Sequence, residues 1–378
     1  MKQTFIFPYD HHLFSFFKHV DAVALDDTKV IPMAFRGSGL VNKDIADAVS
    51  DLHTGIDVYS SYDFNSIEKN HVVHFAQNYY LNEEALKACE ELRKQCVKNH
   101  YKYVIHTNYL KDDGDRNNDK DEYNASFSRS VFDVNLHDIE SQYVDIYRNL
   151  KTPILYVSGI IDSADIPDLA LTIRESLEGE GIRVCTLLKN SIAPLWGAYH
   201  YLPILLSRKY VESQKIAKLN SYMANIEMND SPDLILIEAP DPILRFNDYA
   251  TNGFGILSYM LGQAAPPSAM ILSVPYLYLQ NDFIKIIQEA IERIYQAPII
   301  SFSVTNAIPD NIKILQNHEM SFFYSRTSII REKIEVAKKA NTGVNLIDPY
   351  NTSKSKELSI LINKIKEVLN ENATRRYE

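Results

Sequence analysis

The sequence contains little cysteine, glycine and tryptophan, and it has no long apolar run. Its 378 residues include three cysteines, 12 glycines and one tryptophan. Three cysteines cannot by themselves form a disulfide framework or a four-ligand zinc site. Cys89 and Cys96 fall on one face of a predicted helix, and we interpret them as reduced core residues. No stretch approaches the roughly 18 apolar residues that a membrane-spanning helix needs, so we expect none.

Positive charge is also scarce. The 39 Lys and Arg residues against 49 Asp and Glu residues give a formal net charge of −10, and the pI is about 5.6. A surface of this charge does not suit nucleic acid or an anionic membrane, and we expect neither as a partner. Pro8, Asp10 and two histidines interrupt the first apolar run, so we expect no signal peptide and a cytoplasmic protein.

What the chain does contain is an alternation of short apolar runs with helical patterns. The first part has predicted strands at 4–9, 72–77 and 102–107, and predicted helices near 12–20 and 83–98. Strands rich in Val and Ile and separated by helices indicate a parallel sheet covered on both faces. The sequence therefore predicts an α/β protein with two Rossmann-like, doubly wound lobes, the first spanning 1–110.

The second lobe, at 151–378, resembles a degenerate P-loop NTPase domain. Its pattern indicates βαβ units with right-handed crossovers. The predicted strands lie at 153–158, 182–188, 233–238, 269–274 and 298–304, and the predicted helices near 166–179, 210–228, 280–296, 326–340 and 353–370.

Residues 111–150 separate the two lobes. Acidic residues at alternate positions resemble a calcium-binding loop, but the positions that should be Gly and Glu hold Asn118 and Asn124. We therefore interpret 111–130 as a mobile acidic loop, followed by a linker helix at about 137–150.

In doubly wound sheets, ligands bind at the carboxyl ends of the strands. Asp10, His11 and His12 directly follow the first predicted strand. An acid beside two histidines could act in general acid–base chemistry or as a partial metal site. Alternatively, Asp10 only caps the next helix. Asp10 and His11 are our candidate catalytic residues.

A glycine-containing loop spans 35–44 and includes Arg36 and Lys43. Backbone amides and two cations could hold an anion there, but the loop lacks the G-x-G-x-x-G spacing and could equally be a plain turn.

The first strand of the second lobe ends in Gly159, as a phosphate loop does. A P-loop needs a second glycine, then Lys, then Ser or Thr, and this chain has Ala164, Asp165 and Ile166 instead. Without the lysine and the Mg²⁺-binding hydroxyl, ATP binding is disfavoured. Asp162 and Asp165 would repel phosphate and suit the start of a helix, which Asp165 would cap.

Three further positions could contribute to a site. Glu238 follows the most buried predicted strand, where an NTPase places its metal-binding acid. Asn252 and Gly253 belong to a glycine-rich turn that fits a ligand-binding loop or a tight start of a helix. Trp196 lies in an aromatic cluster that could line a pocket or peptide groove, or form a buried loop.

Several short blocks occur in order along both lobes. They are Phe7-Pro8-Tyr9-Asp10, Asn42-Lys43-Asp44, the loop from Gly159 to Asp165, Trp196-Gly197, Lys215-Ile216 with Asn220, Pro232-Asp233, and Thr251-Asn252-Gly253-Phe254-Gly255. Their order and spacing resemble the peptide maturation system protein family of clostridia and related Firmicutes. Genes of that family lie beside radical SAM enzymes and small cysteine-rich precursor peptides, in clusters for ribosomal, bacteriocin-like natural products.

The chain departs from that family at positions that bear on nucleotide binding. Ile166 replaces the family's lysine, Asn42 replaces a glycine, and Pro240-Asp241-Pro242 replaces Pro-Gly-Gly. These changes remove a charge and backbone freedom where a phosphate would lie, so they weaken a nucleotide role.

The resemblance implies an accessory protein in RiPP biosynthesis that binds the precursor peptide, the radical SAM maturation enzyme, or both. The alternative is a peptide-modifying ligase or transferase with a nucleotide or other small substrate in an interlobe cleft, and a metabolite sensor is a third hypothesis. We expect no metal and no cofactor; a nucleotide is a disfavoured ligand, and a homodimer stays open. The candidate binding residues are Lys43, Asp44, Gly159, Asp162, Asp165, Trp196, Glu238, Asn252 and Gly253.

Overall fold

The structure is a computed structural model that describes residues 2–22, 28–61, 71–78, 80–107, 147–340, 344–351 and 355–375. Its contacts divide the chain into two compact units. The first comprises the described residues of Met1–Ala48, Leu52–Leu136 and Lys189–Arg208, and the second those of Val49–Asp51, His137–Leu188 and Lys209–Glu378. The predicted acidic loop and most of the predicted linker helix lie outside the described residues.

The first unit contains a five-stranded sheet in which every pair of neighbours is parallel. Its order is β3-β2-β1-β4-β5, which is the doubly wound arrangement with the chain reversing direction across the sheet between β1 and β4. This confirms the predicted fold class for the first lobe. The strands are β1 (Lys2–Phe7), β2 (Thr28–Ala34), β3 (Tyr59–Ser60), β4 (Val72–Gln77) and β5 (Lys102–Thr107).

Two helices follow the central strands. A 3₁₀ turn at His11–Leu13 leads from β1 into α1 (Phe14–Lys18), and α2 (Glu83–Asn99) follows β4. The side chain of Asn82 caps α2 by accepting a hydrogen bond from the amide of Ala85 at 2.9 Å.

The apolar face of α2 packs on the sheet. Ala85, Cys89, Leu92 and Cys96 are buried along it, at the spacing of an amphipathic helix. Cys89 and Cys96 are free and buried, as predicted, and burial raises the pKa of each thiol to about 12. Both cysteines belong to a hydrophobic core cluster that includes Phe5 and Phe75 of the sheet.

The second unit contains six strands of a seven-stranded sheet, in the order β14-β11-β10-β6-β9-β7. The five neighbouring pairs among these six strands are parallel. The strands are β6 (Ile154–Gly159), β7 (Val184–Leu188), β9 (Leu234–Glu238), β10 (Ala269–Pro275), β11 (Ile299–Thr305) and β14 (Leu346–Ile347). An antiparallel hairpin, β12 (Ala307–Pro309) with β13 (Phe322–Tyr324), follows β11.

Helices alternate with these strands. The helix after β6 packs against β6, β7 and β9, as expected for right-handed βαβ units. The helices of this unit are α3 (Asp165–Glu178), α5 (Glu212–Asp230), α6 (Ile256–Ala264), α7 (Asn281–Tyr295), α8 (Asn311–Asn317), α9 (Thr327–Ala340) and α10 (Lys356–Arg375).

The segment Lys189–Arg208 belongs to the first unit. It contains a 3₁₀ turn at Ala193–Trp196, the two-residue strand β8 (Tyr199–His200) and α4 (Leu202–Leu206). Trp196 packs edge-on against Phe16 with ring centroids 5.1 Å apart, so the segment joins the core around α1.

Several elements escaped prediction, and for two of them, β2 and α6, the reason is identifiable. Pro32 interrupts β2, and a proline argues against an interior strand. It is tolerated here because β3 pairs only with Met33 and Ala34. The start of α6 could not be predicted from the sequence, because the four residues before it, Asn252–Gly255, are left-handed, with φ values of 48, 57, 58 and 68°.

No helix within the described ranges is both long and apolar enough to cross a bilayer.

We expect Leu92→Ala to lower the free energy of unfolding by about 2–5 kcal/mol, because it leaves a cavity under α2. Leu86→Ala, in the same helix, serves as the control. Leu92 is 3% exposed and Leu86 47% exposed, so the control should change stability by less than about 1 kcal/mol. Urea unfolding of both variants checks this, and equal losses would contradict the packing described for α2.

Candidate functional site

The carboxyl ends of β1 and β4 border a cleft in the first unit. These two strands are neighbours at the point where the strand order reverses, which is where doubly wound sheets bind ligands. The cleft measures about 420 Å³, within the range of small-molecule sites. Its lining includes Asp10, His11, His12, Gly37, Tyr80 and Glu84.

Asp10 joins β1 to the 3₁₀ turn and lines the cleft. Its carboxylate accepts a hydrogen bond from the amide of His12 at 2.9 Å, so the predicted capping role is confirmed. Burial raises the pKa of Asp10 to about 7, against the backbone hydrogen bonds of His12 and Leu13, which lower it. Asp10 as a whole residue is half-buried and lines the cleft. It therefore exchanges a proton near neutral pH at a place that a ligand can reach.

His11, His12 and Tyr80 form a stack of rings beside Asp10. The ring centroids of His11 and His12 are 3.9 Å apart, and those of His12 and Tyr80 are also 3.9 Å apart. Burial lowers the pKa of His12 well below its usual value, and the nearby charges of His11 and Lys189 lower it further. His12 is therefore a neutral imidazole at neutral pH.

Residues after β4 and in the 189–191 turn support this stack. The side-chain amide of Asn190 donates a hydrogen bond to the hydroxyl of Tyr80 at 2.9 Å. The backbone of Ser191 donates to the side-chain oxygen of Asn78, also at 2.9 Å. These contacts fix Tyr80 through neighbours outside β4.

His12, Tyr80 and Asn78 were not among the predicted site residues. Asn78 and Tyr80 come directly after the strand predicted at 72–77, so the rule that ligands bind at carboxyl ends could have identified both. No sequence signal separates His12 from His11, because the pKa of His12 depends on residues that are remote in the chain.

Lys43 and Asp44 lie in the first unit, but neither lines the Asp10 cleft. Lys43 is exposed. Asp44 is buried and accepts hydrogen bonds from the amides of Ala46, Thr54 and Gly55 at 2.8, 2.9 and 2.7 Å. Burial alone would raise the pKa of Asp44, but these hydrogen bonds together lower it. The contacts of Asp44 are those of a residue that shapes a loop.

Trp196 is fully buried. Its indole nitrogen donates to the carbonyl of His19 at 3.1 Å, and its ring packs against Phe16 and Phe17. Of the two interpretations of the aromatic cluster, the structure shows the buried loop at this residue.

The phosphate-type turn of the second unit runs from Gly159 at the end of β6 to the start of α3. Two of its backbone amides are bonded within the protein. The amide of Ile160 donates to the carbonyl of Ser273 at 3.1 Å, and the amide of Ala164 donates to the hydroxyl of Tyr324 at 3.2 Å. A phosphate loop would direct such amides at the nucleotide. Asp162, in the middle of the turn, is half-buried.

Gly159 is needed for close approach in this turn. A Cβ at Gly159 would lie 2.6 Å from the carbonyl oxygen of Ile161 and 2.8 Å from Cδ1 of Ile166. The turn is therefore packed down on the end of its own strand.

Asp165 occupies the position of the P-loop lysine and is fully buried. It is the first residue of α3, and Ala164 is the cap, so our expectation that Asp165 caps the helix was wrong. Its Oδ2 atom accepts hydrogen bonds from the hydroxyls of Ser273 at 2.6 Å and Ser303 at 3.3 Å. Burial raises the pKa of Asp165, while hydroxyl donors including Ser273 lower it. The carboxyl binds to β10 and β11 instead of remaining at the helix end.

Glu238 and the turn of Asn252 and Gly253 also lie in the second unit. Glu238, at the end of β9, is 1% exposed. The side-chain amide of Asn252 donates to the carbonyls of Ile160 and Leu244 at 3.2 and 3.4 Å. Asn252 thus ties its turn to the phosphate-type turn, and Gly253 gives the chain a left-handed residue beside it.

Among the residues that the structure describes, no group of three or more His, Cys, Asp or Glu side chains has an arrangement that could hold a metal ion.

No protein-family model and no curated protein sequence matches this chain. Its fold is similar to the crystal structure of a DUF1611 family protein from Anabaena variabilis, with a TM-score of 0.60 and 10% sequence identity. The match covers 97% of this chain and 100% of that one. At this identity the likeness concerns the fold alone.

Two nucleotide-associated structures match less well. A GTPase in apo form from Pyrococcus abyssi has a TM-score of 0.30 at 13% identity, covering 59% of this chain and 85% of its own. A nucleotide-binding protein in complex with ADP from Archaeoglobus fulgidus has a TM-score of 0.27 at 11% identity, covering 64% and 93%. Scores this low carry no functional argument.

The raised pKa of Asp10 predicts a stability that falls as the pH rises from about 4 to about 7. In this window the folded protein holds a proton that the unfolded chain has released, so deprotonation at higher pH costs free energy. Asp10→Asn keeps the capping oxygen and removes the titration. Relative to wild type, it should gain up to about 3 kcal/mol between pH 4.5 and pH 8, at about 1.4 kcal/mol per pKa unit.

Urea unfolding at both pH values measures this difference. Asp47→Asn, at an exposed position of the same unit, should show no such gain. A constant difference between wild type and Asp10→Asn across this range would show that Asp10 titrates at its ordinary pKa.

Proposed function

We propose that this chain binds a small polar group in the Asp10 cleft, with Asp10 as the residue that recognises the ligand. The observation that carries the proposal is the position of Asp10. Its carboxyl lies at the carboxyl end of the central strand β1, in a cleft of about 420 Å³, and its pKa is raised to about 7. A half-protonated carboxyl can both donate and accept a hydrogen bond, so it suits ligands with amide, hydroxyl or amine groups.

We place this binding activity in the maturation of a ribosomally synthesised peptide. That role rests on the ordered sequence blocks and their resemblance to the peptide maturation family. The polar group would then be a side chain or terminus of the precursor peptide, and the chain would act as an accessory protein that presents the peptide to a radical SAM enzyme. The partly exposed rings of His11 and Tyr80 in the cleft lining favour such a partner, because aromatic groups with polar tips suit peptide recognition.

One observation favours an enzyme as the second candidate. Asp10 and His12 lie two residues apart, and their surroundings shift their pKa values in opposite directions, upward for the acid and downward for the imidazole. In such a pair the surroundings give two titratable groups different roles at one pH. In a peptide-modifying enzyme, Asp10 would donate or accept the proton, and His12 would stay neutral and offer a hydrogen bond.

The second unit supports a structural role for its phosphate-type turn. The amides of Ile160 and Ala164 have acceptors within the protein, and the lysine position holds the buried Asp165. We infer that this turn anchors α3 on the sheet and leaves nucleotide binding to other proteins of the pathway.

Binding of a fluorescently labelled precursor peptide, of the kind encoded beside genes of the resembled family, tests the proposal. Tyr80→Ala removes one ring of the stack and should weaken binding at least tenfold in an anisotropy titration. Tyr59→Ala is the control, since Tyr59 is an exposed tyrosine of the same unit that does not line the cleft. Equal affinities for Tyr80→Ala and wild type would exclude the cleft as the peptide site.

Calorimetric titration with ATP and with GTP, each with Mg²⁺, tests the inference about the second unit. We expect no saturable heat up to millimolar nucleotide, because the turn offers neither free amides at Ile160 and Ala164 nor a lysine. Micromolar binding that is lost in a Gly159→Val variant, with folding checked by circular dichroism, would show that the turn still holds a nucleotide.

A further inference from the structure

A second cavity continues the Asp10 cleft along the edge of the first sheet. It measures about 370 Å³ and lies between the loop after β2 and helix α2. The two cavities share Phe35, Gly37 and Glu84. The two cavities therefore adjoin, and we call them together the groove; Asp10 lines one cavity and Arg36 the other.

Arg36 is a cation without a protein partner in the second cavity of the groove. Its side chain is exposed, and within the described part of the chain it makes no hydrogen bond or ion pair. The other cation of the cavity, Lys87, is engaged by Glu83 at 2.7 Å. Lys43, the cation favoured by the sequence, does not line either cavity.

The loop that carries Arg36 also presents a backbone amide. Gly37 and Gly39 have φ values of 101 and 75°, and no atom lies within 4 Å of a Cβ built on either residue. Ser38 donates its amide to the carbonyl of Phe35. The backbone amide of Gly37, which lines the cavity, has no acceptor among the described residues. A backbone amide in a turn that is not bonded within the protein can donate a hydrogen bond to an anion.

The opposite wall of the cavity carries negative charge. Glu84 and Glu91 of α2 line it and would repel an anion. An anion would therefore be held on the loop side, against Arg36. The rest of the ligand would extend past Glu84 towards Asp10.

We propose that the ligand of the Asp10 cleft carries a phosphate group, which Arg36 and the backbone amide of Gly37 bind in the adjoining cavity. This rests on the proposed function of the Asp10 cleft and names the chemical class of its ligand. That ligand is a peptide that carries a phosphate ester, with a polar side chain or terminus at the Asp10 end. The guanidinium of Arg36 suits two phosphate oxygens at once.

Inorganic phosphate is the probe for this site. Titrated into the ¹⁵N-labelled full-length protein at constant ionic strength, it should shift the amide signal of Gly37 saturably. Arg36→Gln should weaken this binding at least tenfold. The control is Arg208→Gln, an exposed arginine of the same unit, which should bind as wild type does. The amide spectrum of each variant also reports whether it is folded.

Three results would overturn the proposal: shifts that do not saturate, equal affinity in Arg36→Gln and wild type, or acetate binding as tightly as phosphate. Absence of phosphate binding together with an intact pH profile of Asp10 would refute the phosphate group alone. Phosphate binding with a flat pH profile would refute the proposed role of Asp10.

Discussion

The parallel direction of all strands in the first sheet is the constraint on which the candidate site depends. Parallel strands bring every carboxyl end to one edge. The loops after β1, β2 and β4, which are far apart in the sequence, therefore meet, and they supply Asp10, Gly37 and Tyr80 to the same groove. The body of the sheet is filled with apolar side chains such as Phe5, Phe7 and Phe75. Polar chemistry is thus placed at the edge, where the strands stop.

Asp10 illustrates how one side chain serves both the fold and the site. The fold needs an acceptor at the start of the 3₁₀ turn, and the carboxylate provides it for the amide of His12. The same hydrogen bond stabilises the charged form, while the surrounding protein destabilises it more strongly. A residue held by its own helix cap has a fixed orientation, and a fixed orientation is what a recognition or proton-transfer group requires.

Strong periodicity allowed much of the fold to be predicted. β4 and β5 have the predicted bounds, and α2 is longer by one residue, because their apolar patterns are regular and end at polar residues. Prediction failed where a local irregularity is compensated by distant residues. Pro32 argues against a strand in the sequence, but it is compatible with β2 because β3 pairs only with Met33 and Ala34.

For the site, too, local patterns were predictable and effects of distant residues were not. Position after a strand was enough to select Asp10. The lowered pKa of His12 could not be predicted, because it depends on burial and on charges that include Lys189. Asp44, Trp196 and Asn252 have the residue types of binding groups. Only their hydrogen bonds show that they hold loops and core together.

The hydroxyl of Tyr324 at the phosphate-type turn bears on how many changes would separate this turn from a P-loop. A turn that lacked only the lysine could acquire it by a single substitution. Here the amide of Ala164 has a partner on β13, and the lysine position has two hydroxyl partners, on β10 and β11. A lysine at position 165 would enter a closed space as a charge without a phosphate to meet it. A P-loop type of phosphate contact at this turn would therefore require coordinated changes on several strands.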